Sequence, residues 1–91
     1  MSNTIPESVI WYVYILECND SKKSLYTGIT NNLDKRITAH NAGKGAKYTK
    51  GRTPVKLVRS FICTSKSEAL KLEYQIKKLS RDEKLNYLRE T

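Results

Sequence analysis

The chain has 91 residues, with 17 Lys and Arg against 9 Asp and Glu and a formal net charge of +8. That length holds one domain with one modest core and excludes two. The surplus of positive charge favours a polyanionic partner, nucleic acid ahead of an anionic membrane, and the two cysteines, Cys18 and Cys63, lack the spacing of a zinc site.

Residues 1–8 are polar, contain Pro6, and read as a loose tail, so the domain itself is expected over residues 10–91 behind a tail of 1–9. The N-terminus has no basic n-region and no cleavage site. Its apolar run from Val9 to Leu16 is far shorter than the roughly 20 residues of a membrane span. The expectation is a soluble, cytoplasmic protein with no membrane partner and two free thiols. No required protein partner can be inferred, although Tyr87 and Leu88 leave room for a dimer through the last helix.

From Ile10 to Cys18 the chain is rich in aromatic and β-branched residues, which predicts a strand buried on both faces. Asn19-Asp20-Ser21-Lys22-Lys23 is a polar turn, and Ser24 to Ile29 returns as the second strand of a hairpin. Asn31 or Asn32 can cap a helix to about Ala42, with Leu33, Ile37 and His40 on one face. Gly43-Lys44-Gly45 ends it and opens a loop through Pro54. Val55 to Cys63 reads as a third strand. Ser65-Lys66-Ser67-Glu68 is a capping-box pattern opening a second helix with an Ala69, Leu72, Ile76 and Leu79 stripe. Ser80 to Glu83 is another such pattern and starts a short third helix to Arg89. The order β-β-α-β-α-α predicts an α+β domain: a small three-stranded antiparallel sheet flanked by helices.

Several polar residues fall where a core pattern would not put them. Arg36 and His40, four apart, share the face of Leu33 and Ile37. Glu73 lies at the edge of the second helix's apolar stripe, where a carboxylate is costly unless paired, hydrated or bound to a cation. Tyr12 and Tyr14 share one face of the first strand, and Tyr26 and Gly28 lie on its partner. Taken singly, the tyrosines are ordinary strand residues, His40 an ordinary half-buried histidine, and Glu73 an ion-pair partner for Lys77. Their joint order is the informative feature.

Tyr12-Val13-Tyr14, then Tyr26-Thr27-Gly28, Asn32-Leu33 with Arg36 and His40, and Glu73 on a later helix resemble a GIY-YIG nuclease domain. More narrowly, Trp11 to Leu16, Tyr26 to Thr30, His40-Asn41 with Gly43 to Thr49, and Glu73 to Arg81 resemble the small stand-alone bacterial branch of that superfamily. The likeness spans roughly residues 10–88. Tyr12 replaces the first motif's glycine, Val13 its isoleucine, and Thr27 the isoleucine of the second. Asn86 is the sole counterpart of a late asparagine that members often carry.

The resemblance implies an endonuclease that hydrolyses phosphodiesters in DNA, branched or single-stranded, with low sequence specificity, DNA being preferred over RNA. The alternative is a non-catalytic nucleic-acid-binding module of the same fold. It also implies a single divalent cation, Mg²⁺ or Mn²⁺, held by Glu73. Arg36 would stabilise charge on the pentavalent phosphate, and Gly28 would let the backbone approach the phosphate or the opposite strand. Tyr14 and Tyr26 would line the nucleophile's side. An unaided tyrosine, with a pKa near 10, is a poor base at neutral pH, so Tyr26 is expected to work as a pair with His40. Nucleic-acid contacts are expected from Lys44, Lys47, Lys50 and Arg52 in the loop, from Lys77, Lys78 and Arg81 after the metal helix, and from Tyr48 as a stacking surface.

Overall fold

A computed structural model describes residues 10–89. The expected tail, residues 1–9, lies outside them. The elements are β1 (Trp11–Glu17), β2 (Leu25–Thr30), α1 (Leu33–Asn41), β3 (Lys56–Cys63), α2 (Lys66–Lys77) and α3 (Arg81–Arg89). This is the predicted α+β order, and the three strands form one antiparallel sheet in the order β2-β1-β3.

β1 is the central strand, which is why its sequence is apolar on both faces. Val13, Tyr14, Ile15 and Leu16 are all fully buried. Alternation sorts them into two cores. Val13 and Ile15 join Cys63, Ala69 and Ile76, with Leu72, Tyr87 and Leu88 packed alongside. Of these, Ala69, Leu72 and Ile76 come from α2, Tyr87 and Leu88 from α3, and Cys63 from the end of β3. Tyr14 and Leu16 join Cys18 and Val55, with Tyr26, Leu33 and Ile37 alongside, so the opposite face is covered by α1 and the loop that follows it. The two thiols are free and buried, one in each core.

Local chemistry sets the helix starts. Asn32 caps α1, its side chain accepting from the Lys35 amide at 3.1 Å. Ser65 accepts from Glu68 N at 3.0 Å, while Glu68 Oε1 accepts from Thr64 N and not from the cap residue itself. At α3 the reciprocal box is complete: Glu83 Oε1 accepts from Ser80 N at 2.8 Å and Ser80 Oγ from Glu83 N at 3.2 Å. Between Ile15 and Leu16 the β1–β3 register slips, leaving Val58 without an opposite residue, a bulge on the edge strand. Among the described residues no helix is long and apolar enough to cross a membrane.

Candidate active site

The hairpin places the first two groups. Tyr14 stands opposite Gly28, and Leu16 opposite Tyr26. Directly opposed residues share a face, so both phenols rise on the α1 side of the sheet. Gly28 has no side chain, and the Tyr14 ring occupies the space: an added Cβ would sit 2.5 Å from Tyr14 Oη and 2.7 Å from Cζ. The sequence suggested that Gly28 makes room for a phosphate or the opposite strand. It makes room for the phenol of the opposite strand.

α1 supplies the next two. Its Leu33 and Ile37 pack on the Tyr14 core, which turns His40 and Arg36 toward the same phenol. His40 is completely buried, with Nε2 2.8 Å from Tyr14 Oη and Nδ1 2.7 Å from Thr49 Oγ1. Tyr26 meets His40 ring to ring, edge on, with centroids 5.2 Å apart. The sequence paired Tyr26 with His40; in the structure the hydrogen bond to His40 is made by Tyr14, and Tyr26 lies beside the two.

The electrostatics follow from burial. Desolvation raises the Tyr14 pKa above 10.0, helped by Tyr26 and Glu73, while the Arg36 guanidinium beside it works in the opposite direction. Desolvation, then the Arg36 charge, lowers the His40 pKa below 6.5. At neutral pH the phenol is protonated and the imidazole neutral. Among the described residues Arg36 has no carboxylate partner, and its buried Nε has no hydrogen-bond acceptor.

Glu73 comes from α2, which packs on β1 and β2. Its side chain is 18% exposed and ion-paired with Lys77 at 3.1 Å. It is half sunk at the edge of the apolar stripe, as expected, and close enough for its charge to act on Tyr14. Among the described residues no three His, Cys, Asp or Glu side chains gather as a metal cage. A lone carboxylate does not suit zinc, but it suits a hard cation that keeps its waters.

The predicted nucleic-acid contacts divide. Lys44, Lys47 and Lys50 are exposed on the loop. Tyr48 is half exposed, but its ring stacks on Tyr26 at 6.0 Å and carries the Arg52 guanidinium 4.5 Å from its centroid. Arg52 also pairs with Asp20 at 3.4 Å and donates to Tyr48 O at 2.6 Å, so it is engaged in holding the loop. Lys77 pairs with Glu73, Lys78 lies over Tyr74, and Arg81 donates to Lys23 O. Tyr48 and Arg81 line one shallow depression with Lys22 and Lys84, two cations that the sequence reading passed over because they lie on separate elements. Asn86 is exposed on α3. Thr49 and Gly45 were also missed: Thr49 is fully buried against His40, and a Cβ at Gly45 would land on the His40 ring.

A three-stranded α+β domain bearing this phenol, imidazole, guanidinium and carboxylate set is a GIY-YIG catalytic domain. The model of that family matches residues 10–86, and the chain belongs to the family. Its relatives carry the name UPF0213 protein. One from Staphylococcus haemolyticus is 57% identical over 79 residues, covering 87% of this chain and 94% of its own. Another from Clostridium perfringens is 61% identical over 77 residues, covering 85% and 81%. The solution structure of a UPF0213 protein from Bacillus halodurans aligns with a TM-score of 0.56 at 49% identity, covering 88% of this chain and 83% of that one. A solution structure of a protein from E. faecalis aligns with a TM-score of 0.61 at 37% identity, covering 98% and 88%.

Proposed function

We propose that the protein is a divalent-metal-dependent endonuclease that hydrolyses phosphodiester bonds in DNA, branched or single-stranded, with little sequence preference. The supporting observation is the meeting of Tyr14, Tyr26, Arg36 and His40 around one phenol, with the half-buried Glu73 near enough for its charge to act on Tyr14. Once substrate displaces the side chains that bury it, Tyr14 Oη orients the attacking water. As the water oxygen bonds to phosphorus, its proton passes to Tyr14 Oη and the phenol's own proton passes to His40 Nε2. The P–O bond to the leaving sugar oxygen then breaks, and that oxygen takes up a proton from solvent. This relay avoids a free phenolate, which burial makes costly at Tyr14. The depressed pKa of His40 favours later release of the proton. Arg36, with no carboxylate to neutralise it among the described residues, meets the charge on the non-bridging oxygens. Glu73 would hold Mg²⁺ or Mn²⁺, which when bound neutralises charge on the phosphate and leaving oxygen. The exposed Lys44, Lys47 and Lys50 supply affinity that is indifferent to sequence and falls with salt.

One feature favours the second reading, a binding module without catalysis: Lys77 already neutralises Glu73. The test is incubation with branched, single-stranded and duplex DNA and with RNA, in Mg²⁺, Mn²⁺ or EDTA, with Glu73→Ala in parallel. Metal-dependent cleavage that disappears in the variant supports the nuclease. Binding without cleavage in every condition supports the module.

A further inference from the structure

Four groups on the α1 side form one chain of contacts: Tyr14 Oη to His40 Nε2 at 2.8 Å, His40 Nδ1 to Thr49 Oγ1 at 2.7 Å, and Thr49 Oγ1 to Ala46 O at 3.2 Å. His40 and Thr49 are completely buried, so no solvent can substitute for a missing partner. A neutral imidazole has one donor and one acceptor nitrogen, so the chain has two possible polarities. In one, Thr49 donates to Nδ1 and Nε2–H donates to Tyr14. The Tyr14 O–H is then left without an acceptor, because Tyr14 is fully buried, its oxygen has no hydrogen-bond acceptor besides His40 among the described residues, and the Arg36 guanidinium that acts on it has only donors. In the other, Ala46 O accepts the Thr49 proton, Thr49 Oγ1 accepts from Nδ1–H, and Nε2 accepts from Tyr14. Every group is satisfied, and Arg36 faces the phenol oxygen's remaining lone pairs.

We infer that Thr49 is a positioning residue that keeps the His40 proton on Nδ1 and so presents Nε2 as the acceptor for the Tyr14 proton. The lock is built from the loop after α1. Gly45 leaves the space in which the ring lies, and Ala46 O, one turn before Thr49, orients its hydroxyl. In the nuclease reading, on which the catalytic part of this inference rests, the lock sets the direction of proton transfer. The water proton goes to Tyr14 Oη and the Tyr14 proton to Nε2, giving an imidazolium whose Nδ1–H is still held by Thr49. The reverse tautomer would offer Tyr14 an N–H and no acceptor.

The experiment is long-range ¹H–¹⁵N NMR of the imidazole at pH 7.5, read together with cleavage of a branched DNA in Mg²⁺. His40 is the chain's one histidine, so its signals need no assignment. Wild type is expected as the Nδ1–H tautomer. Thr49→Ser retains both the tautomer and the activity. Thr49→Val loses the Nδ1–H signature, and its kcat falls by about 10²-fold or more, the range general-base catalysis supplies. A wild-type protein carrying its proton on Nε2 overturns the proposal even if Thr49→Val fails to fold. So does a folded Thr49→Val that keeps the Nδ1–H form. A lock present in wild type and lost in Thr49→Val, with no cleavage by either, upholds the lock and overturns the nuclease reading instead.

Discussion

Replacing Gly28 by alanine tests the site at its tightest point. The added Cβ lies 2.5 Å from Tyr14 Oη, 2.7 Å from Cζ and 3.1 Å from Cε2. Comfortable contact between such atoms begins near ~3.5 Å, so the ring must retreat by about 1 Å. Tyr14 is fully buried and its oxygen is 2.8 Å from His40 Nε2. A displacement of about 1 Å either stretches that bond past the useful range or drives oxygen into nitrogen. Overpacking of this kind costs about 1–3 kcal/mol and a lost buried hydrogen bond about 1 kcal/mol more. The better strand propensity of alanine returns about 0.5–1 kcal/mol. The net loss is about 1–3.5 kcal/mol, or a fall in Tm of roughly 4–28 °C for a domain of this size. Thermal unfolding followed by circular dichroism measures it. The Gly28→Ala/Tyr14→Phe double variant should lose about 1 kcal/mol less than the sum of its singles, because phenylalanine removes the closest atom. A Gly28→Ala protein that melts within about 2 °C of wild type refutes the close-packing argument.

Acid should destabilise the fold through His40. Its folded pKa lies below the unfolded 6.5, so the neutral form's stability is present above 6.5 and is lost as pH falls through the lower folded value. Urea midpoints at pH 7.5 and 5.0 should differ in wild type and converge in His40→Gln; equal shifts in both would contradict this. Thr27 Oγ1 is buried with no hydrogen-bond partner, so Thr27→Val should raise stability by about 1 kcal/mol, read from the same urea curves. Arg36→Ala should lower kcat by about 10²-fold or more while leaving DNA affinity near wild type; a loss confined to binding would remove its transition-state role. Lys77→Met frees Glu73, so half-maximal cleavage should need several-fold less Mg²⁺, on the scale of a ~1 kcal/mol ion pair, measured by titrating the metal.

The elements were legible because each carries local chemistry. The Ser65 and Ser80 caps sit before α2 and α3, Asn32 before α1, and β-branched and aromatic residues mark β1. Glu73's half-buried place could also be read from spacing alone, since helical geometry fixes angles along one element. Contacts between elements could not be read this way. Nothing in the chain order says that Tyr14, and not Tyr26, reaches His40, because that depends on how α1 lies across the hairpin. Thr49 and Gly45 sit in a segment without periodicity, where a sequence offers turn signals but no faces. A faint signal was present at Gly45, a second glycine after the one that ends α1 and therefore not needed to stop the helix. Arg52 looks like a free surface cation in sequence, and only the fold reveals the Asp20 it neutralises, whereas the Glu73–Lys77 pair was legible from its i,i+4 spacing.

The stretch between α1 and β3 is sewn down at both seams. The Asn41 carboxamide accepts from Val55 N at 2.7 Å and donates to Val55 O at 3.4 Å, the way a neighbouring strand would. Near its far end, Arg52 O accepts from Asn19 N at 2.7 Å, fastening it to the β1–β2 turn. Bonds of this kind hold the ends of the segment to the sheet and to α1. The Val55 amide should exchange with deuterium far more slowly than those of the exposed Lys47 and Tyr48, and in the nuclease reading a substrate strand would meet exposed side chains such as Lys47 and Lys50 in front of a backbone held at its ends.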